Sequence, residues 1–138
     1  GDVALAMRRV ACLGALGGPR AAHVAVDASG GILTRRGAID LTPRSRRLDC
    51  PVWPVHRAPP GRPLASPVRD PEDVRALAVA WARRDGMSAD MLIFDPAAAA
   101  ASVYAALAAG KPADVGPDCR ICAHQACRWR REPSVLEA

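Results

Sequence analysis

The stretch Asp90-Met91-Leu92-Ile93-Phe94-Asp95-Pro96, followed by the alanine-rich run from Ala97 to Ala109, decides the fold class. Met91 to Phe94 is the most compact apolar run in the chain, and Asp95-Pro96 closes it, so it predicts a buried strand. The alanines predict a helix over 97–109, stopped by Gly110 and Pro112. Strand and helix in one unit predict an α+β fold, a small single domain over 1–138 in which an antiparallel sheet carries flanking helices.

Working upstream, residues 74–84 carry two periods at once. Val74, Leu77, Ala78 and Trp81 have helical spacing, whereas Leu77, Val79 and Trp81 alternate; propensity favours a helix that begins near Asp70 or Asp73. Eight prolines between Leu41 and Pro71 exclude a long helix there and leave room for short turns and one edge strand near 64–68. Before that stretch, residues 23–26 and 32–39 read as two strands joined by turn chemistry at 28–31, a β-hairpin. Val3, Met7, Val10 and Leu13, with Arg8 and Arg9 opposite, predict an amphipathic helix over 3–16 that ends at Gly17 and Gly18.

The composition bounds what this fold can be. Of 138 residues half are apolar, but 29 of those are alanine, and 13 Pro with 11 Gly break regular structure often, so the core must be thin. No apolar run reaches the roughly 18 residues that cross a bilayer, and no secretory leader is visible. The chain therefore reads as soluble and cytoplasmic; opening on Gly1 rather than Met, it reads as a fragment or a processed form. The net charge of +5 comes from arginine rather than lysine, a bias that a GC-rich coding sequence produces unaided, so it is weak ground for a nucleic-acid partner. No glycine-rich phosphate loop and no nucleophile in a strand-turn-helix setting are visible, so the sequence offers no address for enzyme chemistry.

Five cysteines remain to be explained. Cys12 sits in the apolar helical run and reads as a small buried hydrophobe. Cys119, Cys122 and Cys127 form a Cys-x2-Cys-x4-Cys run whose first two sulfurs can turn toward one centre. Cys50 is the natural fourth ligand, because the rigid segment Asp49-Cys50-Pro51-Val52-Trp53-Pro54 brings an aromatic shield with it. A long excursion between the first ligand and the others is inexpensive, since loop-closure entropy grows slowly with length. Zinc held by four thiolates, or with His124 in place of one, and an Fe-S centre are both compatible with this spacing. Arg46, Arg47, Arg120, Arg128 and Arg130 stand ready to offset thiolate charge or bond the sulfurs, with pairing to Asp49 and Asp118 as the alternative. Trp53 and Trp129 are candidate shields.

Residues 48–55, Leu-Asp-Cys-Pro-Val-Trp-Pro-Val, resemble the "CPLWP" segment of the C-terminal domain of the short-chain fatty acyl transcriptional regulators. Residues 115–122, Val-Gly-Pro-Asp-Cys-Arg-Ile-Cys, with Cys127, resemble the "CRICxxxxC" terminus of the same domain, and the similarity runs from about Arg20 onward. These are XRE-type helix-turn-helix proteins, among them regulators of propionate and glyoxylate metabolism. The resemblance implies a sensor domain that holds a 4Fe-4S cluster on Cys50, Cys119, Cys122 and Cys127 and binds short-chain acyl-CoA. It also implies that DNA is contacted only through a domain outside these residues, that a homodimer is a candidate assembly, and that 74–84 and 90–94 are adjacent antiparallel strands rather than helix and strand. A structural zinc module that mediates protein contacts is the reading from a different class.

Overall fold

The computed structural model describes residues 1–137. Helix α1 spans Val3–Leu13, and Asp2 caps it by accepting from the Leu5 amide at 3.0 Å. Its buried residues are Ala4, Met7 and Ala11, so the packed stripe is centred on alanine rather than on Leu13, which is exposed. Small residues let the helix lie close to the sheet, and this rotation also leaves Cys12 exposed, correcting its expected burial. Gly17, at φ +83°, ends the helical segment, and the Gly18 amide returns to the Leu13 carbonyl at 2.8 Å.

The hairpin forms as expected, with β1 at Ala21–Asp27 and β2 at Ile32–Arg36. Asp27 builds the turn by accepting from the amides of Ser29 and Gly31 and from the Ser29 hydroxyl. The second strand stops at Arg36, short of Ile39. At Gly37 the backbone is left-handed, and a Cβ there would run into the carbonyls of Ala21 and Ala11.

Three further strands follow, β3 at Pro63–Arg69, β4 at Arg75–Ala82 and β5 at Ser88–Phe94. The helix expected over 74–84 is therefore a strand, as the family resemblance implied. Its residues are buried on both faces, Leu77 and Val79 on one and Ala76, Ala78 and Ala80 on the other. That double burial erases the polar alternation that would have marked it in the sequence. Tertiary pairing with β3 and β5 overrides the alanine preference for helix.

The expected helix over 97–109 is broken into α2 at Pro96–Ala100 and α3 at Ala105–Ala108. Ser102 supplies the cause: its hydroxyl donates to the Ala99 carbonyl at 2.8 Å and accepts from the Tyr104 amide at 3.1 Å, a local alternative to helical bonding. A two-residue strand, β6 at Ala113–Asp114, completes a six-stranded sheet in the order β2-β1-β5-β4-β3-β6. Because β6 runs parallel to β3, with Val68 opposite Ala113, the sheet is mixed rather than wholly antiparallel.

One face of the sheet packs on Met7, Ala11 and Ala99 of the helices through Ala21, Leu77, Val79 and Leu92. The other packs on the proline-rich segment through Leu41, Leu48, Val52, Trp53 and Val55. Between β2 and β3 that segment contains no α-helix, only a single 3-10 turn at Pro54–His56. Among the described residues no helix is long and apolar enough to cross a membrane.

Candidate metal centre

The parallel β3–β6 pairing carries the chain, through the fully buried Val115, to Gly116 beside the proline-rich loop. Two reciprocal bonds then fasten the segments: the buried Trp53 ring donates Nε1–H to the Gly116 carbonyl at 3.1 Å, and the Gly116 amide donates to the Cys50 sulfur at 3.4 Å. His56 donates to the Leu48 carbonyl at 2.6 Å from the other side of the loop. Burial pushes the His56 ring below its usual range, against that bond.

Asp118 caps a 3-10 turn at Cys119–Ile121 by accepting from the Arg120 amide at 2.9 Å. That turn presents Cys119 and brings Cys122 in, buried, against Gly116. A Cβ at Gly116 would stand 2.5 Å from the Cys122 sulfur, so only glycine fits there. Arg130 clamps the loop, donating to the carbonyls of Cys119 (2.6 Å), Cys122 (3.2 Å) and His124 (2.7 Å). Ser134 caps the Arg120 and Cys122 carbonyls at 3.4 and 3.5 Å, and the Arg131 amide donates to the Cys119 sulfur at 3.5 Å.

Cys50, Cys119, Cys122 and Cys127 line one small cavity, of about 10 Å³, together with His124 and Arg130. Cys12 lies apart on α1. His124 lines the same cavity, and its Nε2 donates to the Val115 carbonyl at 3.1 Å and braces the wall. Among the described residues, no three His, Cys, Asp or Glu side chains stand in the arrangement of a coordinated metal ion. The four cysteines nonetheless line one cavity from two loops, and amide donors are already aimed at two of their sulfurs. Burial pushes the Cys50 thiol up; the Gly116 and Val52 amides act against this, and the nearby Cys122 and Cys119 sulfurs add to it. A bound cation would reverse that balance and favour the thiolate.

The supporting residues divide from expectation in an instructive way. Trp53 is buried in the core, whereas Trp129 is half exposed and carries the Arg128 guanidinium 5.1 Å from its ring centre. Arg47 pairs with Asp49 at 3.0 Å and Arg120 with Glu132 at 3.8 Å, so their charges are directed to carboxylates rather than sulfurs. Arg130 reaches main-chain carbonyls. Gly116 and Ser134 were not legible as site residues; the Gly116-Pro117 pair just before Cys119 was the only hint.

A family model described as short-chain fatty acyl coenzyme A regulator, C-terminal, matches residues 19–138. Among solved structures, a Mycobacterium tuberculosis transcriptional regulator has the same fold, with a TM-score of 0.71 at 24% identity over 85% of this chain. The chain spans 40% of that protein's length. No curated protein matches the chain.

Proposed function

The chain belongs to the short-chain fatty acyl coenzyme A regulator family, as a C-terminal domain of a transcriptional regulator, and we propose that it is the sensing part of such a protein. In this reading Cys50, Cys119, Cys122 and Cys127 hold a 4Fe-4S cluster, short-chain acyl-CoA is the effector, and the protein acts in the cytoplasm as a binder rather than a catalyst. The observation that carries it is the convergence of four of the five cysteines, from loops some 70 residues apart in sequence, on one cavity.

A bound cluster supplies a redox-responsive cross-link between the two loops. The chain's own residues do the rest: the Gly116 and Arg131 amides donate to sulfur, Trp53 keeps water from the inner side, and Arg130 holds the outer loop in register. Loss of the cross-link would leave the proline-rich face held by its apolar packing and hydrogen bonds, a two-state element through which the site could act on the rest of a regulator. A second cavity, of about 340 Å³, is lined by Ile39, Leu41 and Val74 together with Arg20, Arg75, Asp40 and Asp95. Its apolar walls suit an acyl chain, whereas its two arginines already face Asp95 and Asp73 and would have to leave them to meet phosphate.

Zinc held by the same four thiolates is the second reading, since the spacing and donor set suit either centre. Protein purified without oxygen decides between them. Iron and sulfide at four equivalents each, with absorbance near ~400 nm, would support the cluster; one equivalent of zinc in a colourless protein would replace it. Calorimetric titration with propionyl-CoA against free CoA tests the effector, and equal binding of both would remove the acyl group from the reading.

A further inference from the structure

We propose that the β2 edge of the sheet is a contact surface for the phosphate backbone of duplex DNA. Five exposed arginines meet there from two segments, Arg35 and Arg36 on β2 and Arg44, Arg46 and Arg47 on the loop beside it. The loop is fixed to the strand by a bond from the Ile32 amide to the Arg46 carbonyl at 2.9 Å and by a bridge between Gly31 and Arg47.

Arg35 is oriented by carbonyls alone, and Arg47 by a carbonyl and by Asp49. Arg35 donates to the carbonyls of Arg44 and Ser45 at 3.5 and 2.5 Å, and Arg47 donates to the Ser29 carbonyl at 2.5 Å. A carbonyl fixes a guanidinium fork but leaves its full charge. Two carboxylates lie near Arg47, Asp49 at 3.0 Å and Asp27 in the adjoining turn, so five positive charges against two negative leave the edge at +3. Near the opposite edge the arginines are matched: Arg69 lies 2.5 Å from Asp114 and 3.7 Å from Asp73, and Arg75 lies 3.3 Å from Asp73.

The ordinary reading of arginine on an edge strand is protection against sheet-to-sheet association. Arg35 and Arg36 suffice for that. Arg44, Arg46 and Arg47 add like-charge repulsion that the fold does not require, and the natural counter-charge is a row of phosphates, which guanidinium groups grip through paired N–H donors. The family is described as one of regulators, which makes duplex DNA the polyanion to test, and this contact would add to the one that the family resemblance places in another domain. The proposal does not depend on what the cysteine cavity holds.

Fluorescence anisotropy of a labelled 20-base-pair duplex, titrated with the 138-residue chain, tests it. With about four phosphate contacts, binding should weaken about 100-fold between 50 and 200 mM salt. The variant R44Q/R46Q should bind more weakly at 50 mM and lower the slope of log K against log salt by about 2. The variant R62Q/R84Q makes the same charge change at the end of β3 and β4 and should leave both quantities unchanged; thermal melts confirm that both variants are folded. Equal losses in the two variants would reduce the effect to net charge and overturn the proposal. So would the absence of duplex binding at 50 mM, or binding of polyglutamate but not of the duplex, which would assign the edge to an acidic protein.

Discussion

On one face of the sheet α1 lies on alanines and Met7, and the polar pair buried there satisfies most of its own needs. His23 Nε2 stands 2.8 Å from one Asp90 oxygen, and Arg83 reaches the other at 3.4 Å. On the opposite face, residues 37–62 cover the core with almost no regular backbone. They are fastened by bonds between residues 63 and 66 positions apart, Trp53 to Gly116 and Gly116 to Cys50. The helical face is therefore held by regular local structure and a buried His23–Asp90 hydrogen bond. The loop face is held by apolar packing and by long-range hydrogen bonds, and under the proposed function it is the responsive side.

The comparison can be broken most directly at the cysteines. Cys122→Ser should abolish metal or cluster uptake, read as bound iron or zinc per chain. Hydrogen exchange should rise across 48–56 and 113–131 while β1, β5 and α1 keep their protection; a uniform rise over both faces would show that they are not independent.

Asp90→Ala is the corresponding lesion on the helical face. It strips a fully buried histidine of its partner and should cost about 3–5 kcal/mol in urea unfolding, with metal content unchanged. Burial pushes the Asp90 carboxyl up, but His23 and Arg83 together more than offset this and hold it below its ordinary value. A carboxyl lowered by folding stabilises above its unfolded pKa of about 3.9, and that contribution is lost as pH falls through the folded value. The gap between wild type and Asp90→Ala should therefore narrow as pH falls below about 4. A gap that stays constant would mean that the pair contributes shape rather than charge.

Smaller effects sharpen the contrast. Trp53→Phe keeps the ring but leaves the buried Gly116 carbonyl without its donor, and should cost about 1–3 kcal/mol in thermal or urea melts. It should also speed metal release to a chelator, which a helical-face variant of equal cost should not do. Cys12→Ser, on the exposed side of α1, should change stability by no more than about 0.5 kcal/mol. A larger loss would show that α1 uses more of its surface than its buried stripe.

How much was legible depended on how local each signal was. The hairpin, the strand at 90–94 and the breaks in the proline-rich segment follow from residues within a few positions of one another, and they are present. Propensity predicts a helix over 74–84 where the chain forms a strand at Arg75–Ala82, because a strand buried on both faces, with alanines on one, shows no alternation of polarity. Ser102, which splits the last helix, acts through one hydroxyl that alanine-rich context hides. In the candidate site the cysteine spacing was legible, but Gly116, the Arg130 clamp and the Ser134 caps were not, because each works through main-chain atoms that no residue pattern marks.

By itself, then, the sequence determined the strand and turn chemistry, the four cysteines set apart from Cys12, and the family to which the motifs point. Only the tertiary structure decided which alanines form a strand, which stripe of α1 is buried, and how β6 brings Gly116 against Cys50. The reason is physical. Turns, proline breaks and ligand spacing are settled by the geometry of a few neighbouring residues, whereas burial on both faces, a Cβ-free approach to sulfur and a guanidinium shared among carbonyls exist only once distant segments have packed.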